Sequence, residues 1–517
     1  MKKHFGLFFK KYWILLLLII IKFVLQFIVI NPVYELHRDE FLHLDQAFHP
    51  AAGFISVPPL ISWVSILINI LGGGIFWIRF FPALFGVLTL LAIWLIVEEL
   101  DGGIFAQLLS GTVFVFSVFA RVNLLYQPNS FDILAWTIVF YLLVRYIKDS
   151  KPNWLYYIAI VSVIGFYNKY NKYNVVFLLM GLFLAILCTD LRKVLARKAF
   201  FLALLLGLIL FLPNLLWQYN HGFPVVLHMK VLRETQLVHV SSLGFIKDQL
   251  LFLAGALPLF VAAFFAFFKH SELKKFKVIG LTFIFVMVIF LLLKAKNYYA
   301  LGLYPVLFSF GSVYLEKKFP QKFPFISTLY LSINILMFIS VVNFMFPVLT
   351  PEAITERKEQ FESMGLMRWE DGKNHQLPQD FADMIGWKEM AAHTSTAYNR
   401  LSEEDKKGTL IFCNNYGQAG ALNFYNRGRT PEAYSFSTDY LFWIPENLKI
   451  TNVILIGNYP DNKVVQLFDR IEKIGSVDNQ LAREKGTSVY LMSGANEKFS
   501  GIFNAEVKRR RIEMDCF

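Results

Sequence analysis

Cysteine is scarce in this chain, with three among 517 residues: Cys188, Cys413 and Cys516. Their wide separation matches neither a disulfide framework nor a zinc motif. The sequence also lacks a glycine-rich phosphate-binding loop, which argues against a nucleotide ligand. No small-residue cleavage site follows the first apolar segment, so we expect that segment to remain as a membrane span.

Acidic residues are outnumbered, since Asp and Glu total 38 against 50 Lys and Arg, for a net charge of +12. A basic chain can indicate nucleic-acid binding, but here the bases occupy short loops between apolar runs. The clusters are Lys2, Lys3, Lys10 and Lys11; Arg192, Lys193, Arg197 and Lys198; Lys269, Lys274, Lys275 and Lys277; and Lys317, Lys318 and Lys322. This placement follows the positive-inside rule, and it predicts a cytoplasmic N-terminus and no nucleic-acid partner.

Long apolar runs make up most of the first two thirds of the chain. Hydrophobic residues are 56% of the sequence and the mean hydropathy is +0.49. Because a helix needs roughly 20 apolar residues to cross a bilayer, we predict about 11 spans. They lie near residues 13–30, 79–97, 104–121, 131–147, 154–167, 174–189, 199–217, 246–268, 277–293, 298–316 and 324–346. The predicted fold class is a polytopic α-helical membrane protein.

Residues 58–71 form a shorter apolar run that opens with Pro58-Pro59. If it crossed the membrane, every later basic cluster would change sides, so we expect a juxtamembrane helix on the outer surface. The parity of the spans then places the 31–78 loop and residues 347–517 outside. We therefore expect a membrane domain at 1–346, which includes this outer loop, and a second domain at 347–517.

The sequence after Pro347 is polar and mixed in charge. It predicts strands at Thr409–Cys413, Val453–Ile456 and Ser488–Met492, and helices at Asp383–Leu401 and Gln418–Tyr425. Strands that alternate with helices in about 170 residues indicate a small α/β domain.

The outer loop concentrates ionisable side chains directly after the first span. Asp39 and Glu40 are adjacent, and paired carboxylates at a membrane interface can supply a general base. A solvated loop with helix-capping acids is the simpler alternative. His43, Asp45 and His49 have side chains of the types that bind zinc or manganese, but their spacing matches no defined motif. A divalent metal therefore remains an open alternative.

Other ionisable residues fall at the predicted outer edge. Lys294 and Lys296 are exceptions to the charge bias, and either contact with an anionic group or snorkelling to lipid headgroups explains them. Lys169 and Lys172 present the same choice. Asp132 begins a predicted span, where a carboxylate has either a functional role or a favourable interaction with the helix dipole.

Six segments, in this order, resemble the GT-C glycosyltransferases of the PMT_2 type. Relatives in that family include the protein O-mannosyltransferases and the aminoarabinose transferase that modifies lipid A. The segments are RDEFLHLDQAF, GFISVPPLISW, RFFPALFGVLTLLAIWLIVEELDGG, NSFDILAW, FLPNLLWQYNHGFP and KAKNYYALGLYP. LPQDFADMIGWKEM and NNYGQAGALNFY are similar to bacterial members, so the resemblance extends over about residues 1–500. The long repeat domains of the eukaryotic O-mannosyltransferases are missing, which does not favour protein O-mannosylation.

The resemblance implies a bacterial inner-membrane enzyme that uses a polyprenyl-phosphate-linked sugar as donor. The acceptor would be a hydroxyl of an envelope glycan, lipid or protein at the outer face, and the anomeric centre would invert. Asp39 would be the general base and Glu40 an orienting residue. The leaving phosphate needs cations, for which the candidates are Lys294, Lys296, Arg38 and Arg79. Supporting roles are expected for Asp132, Tyr298, Tyr299 and His43.

Two other functions are compatible with a polytopic chain. A transporter or flippase of lipid-linked sugars would place ionisable residues near the midplane of paired repeats, whereas here they gather at the outer interface. A non-catalytic subunit that binds lipid-linked sugar would not need the Asp39-Glu40 pair. Either alternative should tolerate Asp39→Asn.

Overall fold

The computed structural model describes residues 2–169, 174–235, 240–320 and 322–515. The first helices in chain order are α1 (Lys2–Ile28), α2 (Arg38–Asp45), α3 (Leu60–Ile70), α4 (Ile75–Glu99), α5 (Ile104–Val115), α6 (Val118–Val122), α7 (Pro128–Asp149), α8 (Asn153–Phe166), α9 (Asn174–Leu187), α10 (Lys198–Asn220), α11 (Pro224–Thr235), α12 (Ser242–Phe252), α13 (Leu257–Lys269), α14 (Lys277–Leu292), α15 (Tyr304–Lys318) and α16 (Phe323–Met345). Short 3-10 helices lie at Gln46–Phe48, Asp190–Ala196, Lys274–Phe276 and Asn297–Leu303.

The rest of the described chain mixes short helices with strands. Its helices are α17 (Pro351–Thr355), α18 (Lys358–Ser363), α19 (Gln379–Ala382), α20 (Trp387–Asn399), α21 (Glu403–Lys407), α22 (Tyr416–Tyr425), α23 (Tyr440–Trp443), α24 (Asn462–Val465) and α25 (Glu497–Asp515). Its strands are β1 (Thr409–Cys413), β2 (Ala433–Ser435), β3 (Asn452–Gly457), β4 (Phe468–Ser476) and β5 (Ser488–Ala495).

The chain divides into two compact units. The membrane unit consists of Met1–Ile30, Gly72–Leu215 and Leu232–Val348, and the sheet unit consists of Asn31–Leu71, Leu216–Val231 and Leu349–Phe517. The sheet unit therefore includes most of the outer loop, which the sequence analysis had assigned to the membrane domain. The chain passes from the membrane unit to the sheet unit after Val348, and the domains at 1–346 and 347–517 stay a prediction.

Nine of the eleven predicted spans each fall on one helical stretch of the described chain, whereas 104–121 is divided between α5 and α6 and 246–268 between α12 and α13. Among the described residues, six stretches are long and apolar enough to cross a membrane: Ile75–Glu99, Pro128–Asp149, Lys198–Asn220, Lys274–Leu292, Asn297–Lys318 and Pro324–Met345. Two bent pairs, α9 with Asp190–Ala196 and α12 with α13, raise the total to eight if each pair is one span. The apolar helices Tyr12–Ile28, Ile104–Val115 and Asn153–Phe166 are shorter. The multi-pass helical fold is confirmed, whereas the count of eleven spans is not.

Helices of the membrane unit approach each other closely at small residues. A Cβ added to Gly311 on α15 would lie 2.1 Å from the carbonyl oxygen of Leu259 on α13. Small residues at such crossings let helix backbones come into van der Waals contact, which is the main source of packing energy inside a membrane. Gly311 therefore sets the distance between α13 and α15.

The sheet unit contains a five-stranded sheet in the order β2-β1-β3-β5-β4. Strand β1 runs parallel to β2 and β3, and β5 runs antiparallel to β3 and β4. The predicted strands at Thr409–Cys413, Val453–Ile456 and Ser488–Met492 fall on β1, β3 and β5, and the predicted helices fall on α20 and α22. The small α/β domain is confirmed. The prediction missed β2, which has three residues, and β4, whose sequence FDRIEKIGS mixes charged and apolar side chains.

The outer loop carries two helices of the sheet unit. Helix α3 (Leu60–Ile70) forms within the predicted juxtamembrane segment, and its position on the outer surface stays a prediction. Helix α2 packs on α22, where the ring of Phe41 meets that of Phe424 with centroids 5.6 Å apart. The loop thus contributes side chains to the core of the sheet unit.

Gly311→Ala should lower the stability of the protein, because the new methyl group collides with backbone that cannot move aside. Overpacking of this kind costs about 1–3 kcal/mol. Thermal unfolding of the detergent-solubilised protein measures the effect. The matched control is Gly207→Ala on α10, where the nearest atom to the new Cβ is 3.8 Å away. Equal melting temperatures for the two variants would contradict this account of the α13–α15 crossing.

Candidate functional site

The carboxylate of Asp39 lies on the first turn of α2, and its side chain is 36% exposed. Asp39 Oδ1 accepts a hydrogen bond of 2.7 Å from the hydroxyl of Tyr416. Tyr416 is the first residue of α22, and the Arg38 guanidinium lies over its ring at 4.5 Å. The C-terminal domain therefore supplies a direct partner for the predicted base.

Glu40 closes the N-terminus of α2. Its side chain is completely buried, and Glu40 Oε2 accepts a hydrogen bond of 2.7 Å from the backbone N–H of His37. A glutamate at this position satisfies a backbone donor that the helix leaves without a partner. The helix-capping alternative is thus correct for Glu40, and the same contact fixes the turn that carries Asp39.

His37 joins this turn to acidic residues of the C-terminal domain. Its Nε2 lies 3.6 Å from Asp383 Oδ2 and 3.9 Å from Asp380 Oδ1. Burial would lower the pKa of His37, but the carboxylates of Asp383, Asp39 and Asp380 outweigh that effect and raise the pKa to about 9. The acidic neighbours therefore favour the protonated form of His37.

The charge state of Asp39 follows from these neighbours. Burial would raise the pKa of Asp39, but the positive charges of His37 and Arg38 and the hydrogen bond from Tyr416 hold the pKa below its usual range. Opposite charges and a hydrogen bond to the ionised form both favour that form. Asp39 is an ionised and partly accessible carboxylate at neutral pH.

Asp45, at the other end of α2, is buried and has three partners in the C-terminal domain. Its Oδ1 lies 2.7 Å from Arg427 Nη2, and its Oδ2 accepts hydrogen bonds of 2.7 Å from Asn423 Nδ2 and from the hydroxyl of Tyr440. Burial raises the pKa of Asp45 to about 6, and Arg427, Asn423 and Tyr440 oppose only part of that effect. These contacts attach α2 to the C-terminal domain.

The three candidate metal ligands have separate partners. His43 Nδ1 lies 3.5 Å from Gln46 Oε1, Asp45 is engaged as above, and His49 Nε2 bonds Glu432 Oε1. Within residues 2–169, 174–235, 240–320 and 322–515, no three His, Cys, Asp or Glu side chains come together as a metal site. The geometry does not gather His43, Asp45 and His49 around one point.

A second polar cluster lies in the membrane unit around Asp132, which is 4% exposed. Asp132 Oδ2 accepts a hydrogen bond of 2.6 Å from Asn174 Nδ2. The buried Lys169 donates to Asn129 Oδ1, and its ammonium lies 5.0 Å and 4.9 Å from the ring centres of Tyr298 and Tyr299. We call these six residues the Asp132 cluster. Sequence analysis noted Lys169 only as a charge exception and missed Asn129 and Asn174, because isolated amides carry no sequence signal.

The remaining predicted cations are also in the membrane unit. Lys296 is half-buried, and its positive charge repels that of Lys169. Lys294 is exposed, and its backbone φ is 50°. Arg79 is buried and donates a hydrogen bond of 3.0 Å to the carbonyl oxygen of Leu124. Lys172 lies outside the described residues. Two groups of predicted site residues result. The sheet unit contains Arg38, Asp39, Glu40 and His43, and the membrane unit contains Arg79, Asp132, Lys294, Lys296, Tyr298 and Tyr299.

Arg427→Met should destabilise the sheet unit, because it leaves the Asp45 carboxylate buried without its cation. We expect a loss of about 1–3 kcal/mol, and Asp45→Asn in the same chain should recover part of it, since the amide oxygen can still accept from Asn423 and Tyr440. The control is Arg470→Met, which removes an exposed pair with Glu472 and should cost less than about 1 kcal/mol. Thermal unfolding measures the stability of the three variants. If Arg470→Met lost as much stability as Arg427→Met, the attachment of α2 through Asp45 and Arg427 would be contradicted.

Comparison with known proteins gives one family match and several structural matches. Residues 56–217 match PMT_2, the family described as dolichyl-phosphate-mannose-protein mannosyltransferase. No curated protein matches the chain by sequence. Matches among solved structures include ArnT from Cupriavidus metallidurans bound to undecaprenyl phosphate, with 12% identity, a TM-score of 0.59 and coverage of 92% of this chain and 97% of that one.

A second protein shares the architecture over much of its length. AglB, the oligosaccharyltransferase from Archaeoglobus fulgidus in complex with an inhibitory peptide and a dolichol-phosphate, matches with 12% identity and a TM-score of 0.51. The match covers 87% of this chain and 70% of that one. At these identities the structures show a common fold. The chain therefore has a fold similar to those of ArnT and AglB, and the PMT_2 match covers residues 56–217, which are less than half of the chain.

Proposed function

We propose that this protein transfers a sugar from a polyprenyl-phosphate-linked donor to an acceptor hydroxyl, with Asp39 as the general base. The observation that carries the proposal is the ionised Asp39 carboxylate, held in place by Tyr416, His37 and Arg38. A general base must be deprotonated and within reach of the proton that it removes. Asp39 meets the first condition and is exposed enough to meet the second.

The donor class is supported by the structural relatives. The ArnT structure contains undecaprenyl phosphate and the AglB structure contains a dolichol-phosphate, which are both lipid phosphates. This chain has the same fold and a set of outer-edge cations that suits a phosphate. A polyprenyl-phosphate-linked sugar is therefore the donor that fits both features.

The reaction is a single displacement at the anomeric carbon. Asp39 takes the proton of the acceptor hydroxyl while the hydroxyl oxygen forms a bond to that carbon. The bond from the anomeric carbon to the phosphate oxygen breaks, and the polyprenyl phosphate leaves with the electron pair. Attack opposite the leaving group inverts the anomeric centre.

The predicted supporting residues take distinct roles in this scheme. Lys294 and Lys296 stabilise the charge that develops on the leaving phosphate, as cations do for departing oxyanions. Arg38 acts through the pKa of Asp39, and Arg79 acts by fixing the chain at Leu124. Glu40 is a positioning residue for α2, and His43, which lies on the same helix, supports Asp39. Asp132, Tyr298 and Tyr299 position Lys169 beside Lys296.

The protein is a multi-pass membrane protein, and we propose the bacterial inner membrane as its location. The basic clusters support a cytoplasmic N-terminus, since they all fall on one side of the predicted spans. The outer loop and the C-terminal domain would then face the periplasm. The acceptor on that side is an envelope glycan, lipid or protein.

Asp39→Asn should abolish transfer, because an amide cannot accept the proton. General bases contribute about 10²–10⁴-fold to rate, so we expect a loss of at least about 100-fold. The test deletes the gene in its host, complements it with each variant, and measures polyprenyl-phosphate sugars and envelope glycolipids by mass spectrometry. Wild type should restore both profiles, and Asp39→Asn should leave the donor accumulated.

The matched control is Asp461→Asn, an acid that caps α24 at the surface, because asparagine caps a helix equally well. It should complement like wild type. Full complementation by Asp39→Asn would show that Asp39 is not the general base. A transport or binding function would then be favoured over transfer.

Tyr416→Phe should shift the pH dependence of transfer. The hydroxyl of Tyr416 lowers the pKa of Asp39, so its removal raises that pKa. The base is then protonated over a wider range of acidic pH, and the acid limb of kcat/KM moves to higher pH. A pH–rate profile in membranes measures the limb. An unchanged acid limb in Tyr416→Phe would show that the rate does not depend on the ionisation of Asp39.

A further inference from the structure

A cavity of about 560 Å³ lies within the sheet unit, away from the contacts that hold Asp39. Its aromatic and heteroaromatic lining consists of His49, Phe54, Trp217, His221, Phe442 and Trp443. A volume of this size is within the range of small-molecule sites, roughly 300–1,000 Å³. The lining comes from the outer loop, from the end of α10 and from α23.

The rings of the lining are stacked in pairs and therefore present fixed flat surfaces. His49 lies parallel to Trp443, with centroids 4.1 Å apart and an angle of 8° between the planes. His221 lies on Trp217 at 4.3 Å and 20°, and Phe442 meets His221 edge-on at 5.9 Å. Stacked rings lose little further freedom when a ligand binds, which favours binding.

Polar contacts lock these rings in place. His49 Nε2 bonds Glu432, and His221 Nδ1 lies 2.8 Å from the carbonyl oxygen of Trp217. The Arg511 guanidinium, on α25, donates to the backbone carbonyls of Leu441, Phe442 and Ile444, and so fixes the segment that carries Phe442 and Trp443. The arginine-rich C-terminal segment is therefore part of a folded helix that supports the cavity.

Hydrogen-bonding groups stand beside the aromatic faces. Asp439 is buried and accepts from the backbone N–H of Ile55 and from Gln46 Nε2 at 2.9 Å, which holds the outer loop against the cavity. Asn220 and Arg511 also line it. The cavity thus combines flat apolar surfaces with polar groups at their edges.

A sugar ring has the complementary chemistry. One or both of its faces carry C–H groups that pack on an aromatic ring, and its hydroxyls point outward to polar partners. A hydrocarbon chain would offer no hydrogen bond to the polar part of the lining, which includes Asn220. A phosphate group would meet Arg511 as the cation in the lining, and the guanidinium of Arg511 is already engaged with three carbonyls.

We propose that this cavity is a carbohydrate subsite that holds a pyranose ring of the acceptor. The assignment to the acceptor rests on the proposed function, whereas the binding of a sugar ring does not. Trp443 and Trp217 provide the stacking surfaces, and the polar edge selects the pattern of hydroxyls. The acceptor class is then a glycan or glycolipid, since a peptide acceptor offers no pyranose ring.

The first test is direct binding of methyl pyranosides to the full-length protein in detergent. Saturation-transfer NMR and tryptophan fluorescence should detect at least one pyranoside of the panel. Trp443→Ala and Trp217→Ala should each weaken its affinity about tenfold, since each removes one of the two stacking surfaces. Trp443→Phe keeps an aromatic face and should retain most of the affinity.

The matched control is Trp369→Ala. Trp369 also stacks on a histidine, His375, at 3.7 Å, but it does not line the cavity. Its removal should leave pyranoside affinity as in wild type. Absence of binding by every pyranoside, or an equal loss in Trp369→Ala, overturns the proposal. If brominated lipids quench the fluorescence of Trp443 and no pyranoside binds, these rings contact lipid instead of sugar.

The second test separates this proposal from the proposed function. With glycan or glycolipid acceptor isolated from the deletion strain, Trp443→Ala should raise the acceptor KM about tenfold and the donor KM by much less. Transfer with an unchanged acceptor KM overturns the subsite and leaves the transferase intact. If wild type transfers no sugar, the proposed function fails, and pyranoside binding alone decides whether the cavity takes carbohydrate.

Discussion

The packing of α2 on α22 is the contact on which the candidate base depends. Gly420 makes it possible, because a Cβ there would lie 2.8 Å from Phe41 Cβ and 2.7 Å from the hydroxyl of Tyr440. Because the two helices lie this close, the aspartates at both ends of α2 contact the C-terminal domain. Asp39 meets Tyr416 at one end, and Asp45 meets Arg427, Asn423 and Tyr440 at the other.

These two aspartates have the same side chain and different surroundings. Asp45 is 2% exposed and surrounded by donors, so it contributes attachment and has no access to a substrate. Asp39 is partly exposed, and its partners keep it ionised while leaving part of it in contact with solvent. The contacts of Asp45 attach α2 to the C-terminal domain, and α2 carries Asp39 on its first turn. These contacts attach the outer loop to the C-terminal domain at both ends of α2.

Much of the fold follows from local sequence. Apolar runs located the helices, and buried β-branched segments located β1, β3 and β5, since both signals are carried by neighbouring residues. The docking of the outer loop could not be predicted in this way, because Asp39 and Tyr416 are separated by 377 positions. Asp45 was considered as a metal ligand because its actual partners could not be recognised from neighbouring residues. They lie 378 to 395 positions away in the sequence. Glu40 was open to two interpretations, and the geometry of the α2 N-terminus selects capping.

The anomeric configuration of the transferred sugar tests the central claim most directly, because it reports how the acceptor oxygen reaches the sugar. The donor that accumulates in the deletion strain is purified, incubated with the protein and its acceptor, and compared with the product by NMR. A base at Asp39 that activates the acceptor in one displacement predicts a product of the opposite anomeric configuration. A product with the configuration of the donor would mean that a sugar is first carried by the protein, and would contradict the role given to Asp39.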